Sequence, residues 1–139
     1  RDDGGGRLLP ERVRLDTLAA TLSHDAWQSE ARWVLTGEHA SFGSVRPAHP
    51  FAPGTSNWGA FEVHARVGAL NVDPDAFPTF ANPRSSVRAA HEVAVGLTWS
   101  LDANVRFVAD YESTRYDGGA ATGDRPSEHA LLSRLQVSF

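Results

Sequence analysis

From Trp27 onward, apolar residues recur at every second position. Trp27, Ala31, Trp33 and Leu35 are odd-numbered, with Gln28, Glu30, Arg32 and Thr36 between them. Phe61, Val63, Ala65, Val67 and Ala69 alternate with Glu62, His64, Arg66 and Gly68. The pattern returns with Val93, Val95, Leu97, Trp99 and Leu101, with Val105, Phe107, Ala109 and Tyr111, and with Leu131, Leu135, Val137 and Phe139. Glu30, Arg32, Glu62, Arg66, Glu92, Arg106, Asp110, Glu112 and Arg134 are the charged residues of these segments, and all are even-numbered. A helix turns about 100° per residue and would scatter them around its surface. A strand places alternate residues on opposite faces, so one face is charged and the other apolar.

The alternation predicts strands over 26–37, 58–70, 91–101, 104–114 and 129–139, with a sixth over 12–22 where Arg12, Arg14 and Asp16 keep the even parity. Asp102-Ala103-Asn104 reads as a tight turn. Three connections read as long. Segment 38–57 holds Pro47, Pro50 and Pro53; 71–90 holds Pro74, Pro78 and Pro83; 115–128 holds Gly118, Gly119, Gly123 and Pro126. Prolines of this kind interrupt a strand ladder. Residues 1–25 form a glycine-rich lead-in, and 26–139 a single run of strands.

Two architectures alternate in this way. A soluble antiparallel sandwich buries one face of each strand and wets the other. A membrane β-barrel turns its apolar face to lipid and its polar face to a wet lumen. The expected strands approach the ~9–11 residues of a tilted membrane strand rather than the ~5–6 of soluble sheets. In an up-and-down meander, Phe61, Trp99 and Phe139 fall near one rim and Trp27 and Tyr111 near the other. Bands of outward aromatics suit the two membrane interfaces. The fold class expected is therefore all-β, an antiparallel up-and-down transmembrane barrel.

The segments also resemble a known family, the phosphate-selective porins O and P of Gram-negative outer membranes. The resemblance spans about 25–139. It rests on Trp33-Val34-Leu35-Thr36-Gly37-Glu38, Pro50-Phe51, Trp58-Gly59-Ala60-Phe61-Glu62-Val63, Val95-Gly96-Leu97-Thr98-Trp99, Asn104-Val105-Arg106-Phe107, Asp110-Tyr111 and the closing 131–139. It implies five or six C-terminal strands of a sixteen-stranded barrel, assembled as a homotrimer in the outer membrane and conducting small anions such as phosphate or polyphosphate. It also implies that Phe139 is the terminal signal read by the outer-membrane assembly machinery. The family's anion selectivity is associated with Lys and Arg clusters, whereas this chain has no Lys.

Composition narrows the alternatives. The chain has 139 residues, no Cys and a net charge of −4. A disulfide framework or Cys-ligated metal is excluded, and the acidic balance argues against nucleic acid as a partner. No apolar run approaches the ~20 residues of a membrane helix. The first residue is Arg1, so the chain reads as part of a longer polypeptide.

The even face supplies the expected channel lining: Arg32, Glu62, His64, Arg66, Arg106, Asp110 and Arg134, with Glu30 and Glu112 beside them. Charged rings set ion preference in pores; a solvated strand face with cross-strand ion pairs is the plainer alternative. Segment 38–57 is too apolar to float freely, with Phe42, Val45 and Phe51. It is expected to fold into the lumen or across its mouth, bringing His39, Arg46 or His49 near the ion path. Glu38, His39 and His49 fit no standard metal spacing, and no cofactor is assigned. No nucleophile motif is present, so a channel is favoured over a barrel enzyme. A soluble β-sandwich binding module is the remaining alternative, and it requires the odd face to pack as one core.

Overall fold

The computed structural model describes residues 11–15, 18–40, 43 and 45–139. The glycine-rich opening and Phe42 lie outside them. The described regular structure is strand, apart from one 3-10 turn. Strands β1 (Glu11–Leu15) and β2 (Leu18–Leu22) pair antiparallel, with Glu11 opposite Leu22 and Leu15 opposite Leu18. The expected sixth strand over 12–22 is thus a small hairpin. In sequence, the polar pair Asp16-Thr17 interrupts the strand-forming stretches.

The longer strands are β3 (Asp25–Val34), β4 (Ala60–Asn71), β5 (Val87–Ser100) and β6 (Val105–Ala120). A two-residue β7 (Gly123–Asp124) and then β8 (Glu128–Val137) follow. The sheet order is β3-β4-β5-β6, with both β7 and β8 pairing β6. The long strands β3 to β6 pair in sequence order, as an up-and-down meander requires, and β8 joins the same edge strand as the short β7.

The loop expected over 115–128 is a correction. β6 continues to Ala120, and β7 turns back against it, Gly119 opposite Asp124 and Ala120 opposite Gly123. Gly118 and Gly119 are not breakers. They adopt φ of 77° and 85° inside the strand, a conformation only glycine takes readily. The Asp124 carboxylate accepts the Gly118 N–H at 2.7 Å, and Arg125 donates its N–H to the Gly118 carbonyl at 2.7 Å. The double glycine therefore makes a local kink whose backbone groups stay paired.

By contact the chain divides into two units. One draws on residues up to 29, 67–93 and 113–129. Its buried apolar residues include Leu22, Ala76 and Ala89. Asp73 ties its connections together: its carboxylate accepts the N–H groups of Ser23 and Asp75, at 2.7 and 2.9 Å, and its own N–H donates to His24 Nδ1 at 3.1 Å. The Ser23 and Asp75 donors hold this carboxyl below the ordinary aspartate value.

The second unit comprises 30–66, 94–112 and 130–139, and here the two faces differ sharply. On β4–β6 the even face is covered: Glu62 is 6% exposed, and Ala60, Ala94, Ser100 and Val108 are buried. The odd face is open: Trp33 is 71% exposed, Leu131 79% and Leu135 66%. A soluble sandwich would show the reverse, because apolar burial drives its folding.

Candidate functional site

The site lies on the even face of the second unit. In this part β5 carries only small even-numbered residues, Ala94, Gly96, Thr98 and Ser100. The flanking strands β4 and β6 therefore reach over it. His64 Nε2 stands 2.8 Å from Asp110 Oδ1, and Arg66 Nη2 stands 2.9 Å from Glu112 Oε1. A Cβ on Gly96 would overlap both the His64 ring and the Asp110 carboxylate, so the first bridge exists because position 96 has no side chain. Asp110 Oδ1 is buried and makes no aligned hydrogen bond. Its contact with His64 is thus mainly electrostatic.

The remaining groups continue the pattern. Arg32 pairs with Glu30 and lies 3.7 Å from Glu62 Oε1. Arg106 directs Nε and Nη2 at Gln136 Oε1, at 3.1 and 2.8 Å. That bond holds the guanidinium through a neutral partner. All of the expected lining residues, Arg32, Glu62, His64, Arg66, Arg106, Asp110 and Arg134, border one polar cavity of about 280 Å³, together with Glu30 and Glu112. Parity alone had grouped them; the sheet places them around a shared space.

The sequence turned segment 38–57 toward such a space but did not identify the residues that border it. Gly43 and Val45, from segment 38–57, border the same cavity, and Val45 is 7% exposed. His39, Arg46 and His49, singled out for their charge, are exposed and are not among the residues bordering the cavity. The hydrophobicity of Val45 was the available signal, because the interior of a covering segment takes its apolar side chains.

The described residues of segment 38–57 make a strap held at two points. At one end the Glu38 carboxylate accepts the Thr36 hydroxyl, and the Ala48 N–H at 3.2 Å. At the other, the Phe51 N–H donates to the Leu101 carbonyl at 2.7 Å. The Phe51 ring meets Trp99 edge-on, with centroids 5.4 Å apart, and Trp58 at 5.8 Å. Trp99 stacks on Phe61 at 5.9 Å and donates its indole N–H to the Trp58 carbonyl at 2.6 Å. Such aromatic pairs add about 0.5–1.5 kcal/mol each beyond their burial. Phe139 is fully exposed beyond β8, and Ser138 before it donates its N–H to the Asn104 carbonyl at 2.9 Å.

The Thr36 hydroxyl, aided by backbone N–H groups including that of Ala48 and by His49, holds the Glu38 carboxyl below the ordinary glutamate value despite slight burial. The sign follows from that depression. The anchor is fully formed above the ordinary value of 4.5. It weakens as pH falls toward the lower folded value and is lost below it. Amide exchange at Ala48, corrected for its intrinsic pH dependence, should therefore rise on acidification below that point. Glu38→Gln should abolish this dependence; an unchanged acid response in that variant would remove Glu38 from the anchor.

A family model described as phosphate-selective porin O and P matches residues 9–139. No curated protein and no solved structure matches the chain.

Proposed function

Because the chain belongs to the phosphate-selective porin O and P family, we propose that its strands form part of the wall of a sixteen-stranded outer-membrane barrel, assembled as a homotrimer, through which small anions such as phosphate or polyphosphate diffuse passively. The observation that carries this proposal is the covered charged face beside an exposed apolar one. It suits a wall with lipid outside and a wet lumen inside. Phe139 serves as the assembly signal, and the exposed odd face meets lipid.

Arg32, Glu62, His64, Arg66, Arg106, Asp110 and Arg134 line the lumen. The cavity is bordered by four arginines and by four carboxylates, those of Glu30, Glu62, Asp110 and Glu112; Arg32 and Arg66 stand against carboxylates, and Arg106 bonds the Gln136 amide. Selectivity here follows from placement and not from a net positive wall. A guanidinium presents a planar fork of donors to an oxyanion. Weak contacts at successive positions let the ion enter and leave.

Arg66→Glu and Arg106→Glu in the full-length porin should each lower the anion-to-cation permeability ratio in planar bilayers. The reversal potential in a salt gradient measures it. An unchanged potential in both variants would count against these residues as channel lining.

A further inference from the structure

On the footing of that pore reading, we propose that Arg115, with His91 beside it, seats the phosphate of an outer-leaflet lipid headgroup against the outer wall of the barrel. The observation is a step along the odd face. On β5 the exposed Val93 is followed, toward the start of the strand, by His91; on β6 Tyr111 and Ser113 give way to Arg115; on β8 Leu131 gives way to His129. Apolar side chains therefore end, and polar ones begin, at the same end of three strands. The tight turn 102–104 lies at the other end of β5 and β6, and the short turns of such barrels are periplasmic. The step accordingly marks the outer edge of the hydrocarbon.

The charges beyond that edge are ordered. Arg115 is exposed and has no ion pair among the described residues. The pairing that sets Gly119 against Val87 places Arg115 across from His91. His91 Nε2 stands 3.7 Å from Asp117 Oδ2, so the carboxylate of this patch is turned to the imidazole. Asp117 also follows Arg115 by two residues, about 6–7 Å farther from the apolar band. The cation comes first and the anion after it. On β3, two strands from β5, the residue just past Trp27 in this direction is Asp25, which confines the seat to β5 and β6.

The chemistry of this order fits a lipid phosphate. A guanidinium presents a planar fork of donors that matches a phosphate, and an imidazole N–H adds one donor. Headgroup phosphates crowd the surface just outside the hydrocarbon, and basic side chains at that depth bind anionic headgroups. A solute in the lumen meets the opposite, even face. The Arg115 stem can lie along the wall while its charge stays at the interface. The seat takes no part in conduction.

The test uses the full-length porin in detergent, titrated with phosphatidic acid or with diacylglycerol of the same acyl chains, and reads retained lipid by native mass spectrometry. Phosphatidic acid should be held more tightly than diacylglycerol, which lacks only the phosphate. Arg115→Gln should weaken that retention about tenfold. Arg115→Lys should weaken it less, and Arg84→Gln, at an exposed arginine of segment 71–90, should leave it unchanged. All three variants should conduct as the native channel does. Inorganic phosphate should not displace the lipid; displacement would make this a site for free oxyanions and overturn the proposal, as would native retention by Arg115→Gln. A nitroxide on Val93→Cys in lipid vesicles checks the barrel reading separately. Molecular oxygen, which partitions into hydrocarbon, should reach it more readily than a water-soluble nickel chelate. If the chelate dominates, the barrel reading fails and the seat falls with it. If oxygen dominates while Arg115→Gln holds lipid as before, the seat alone is wrong.

Discussion

Val95→Arg should destabilise the folded porin by about 2–4 kcal/mol, whereas Thr98→Arg should cost less than about 1 kcal/mol. The two positions lie three residues apart on β5 and differ in parity. Val95 is 50% exposed on the apolar face, in the interior of the strand, where a guanidinium would enter hydrocarbon in the proposed barrel. Thr98 borders the polar cavity, where a guanidinium stays hydrated. Leu135, near the end of β8, should respond less strongly to the same change, because the cost falls toward the membrane interfaces. Urea-dependent unfolding of the full-length barrel in lipid vesicles gives the measurement. Equal damage at Val95 and Thr98 would defeat the assignment of the apolar face to lipid.

Gly59→Ala should be the most damaging of the small substitutions in the strap region. Gly59 has φ of 77°, a conformation that costs an alanine about 1–2 kcal/mol. An added Cβ would also overlap the Ser100 carbonyl and lie 3.1 Å from that of Leu101. Both obstacles are backbone, so neither can rotate away. Overpacking adds about 1–3 kcal/mol, giving roughly 2–5 kcal/mol together. Gly54→Ala is the control: its φ is 81°, but a Cβ there meets nothing within 4 Å. It should cost only the conformational share of about 1–2 kcal/mol. The difference between the two unfolding midpoints isolates the contact with Ser100 and Leu101, and the absence of a difference would show that the segment shifts to admit the methyl group.

Gly59 was legible only as part of a family pattern, and its role was not. Its left-handed φ and its close approach to β5 depend on where the strap meets the end of that strand, 41 positions away at Ser100. Gly96 is similar. Alternation placed it on the even face, but its necessity arises because His64 and Asp110, from two other strands, occupy the space above it. The glycines at 118 and 119 were misjudged for the opposite reason. They look like breakers to a local rule, yet the Asp124 carboxylate and the Arg125 N–H pair their backbone and let β6 continue.

The sequence by itself determined the strand periodicity, the separation of charged from apolar faces, the meander of neighbouring strands and the family. These are local properties, because the period of two needs only the pleat of a single chain segment. Parity also gathered the residues that border the charged cavity, since side chains of one parity must share a face. Only the tertiary structure decided that the charged face is the covered one on β4–β6, and that Val45 rather than His39, Arg46 or His49 borders the cavity. Alternation separates two faces without saying what packs against either. Which side chain of the strap turns inward depends on the distant anchors at Thr36, Trp99 and Leu101, whose positions arise from pairing between strands and not from the strap's own residues.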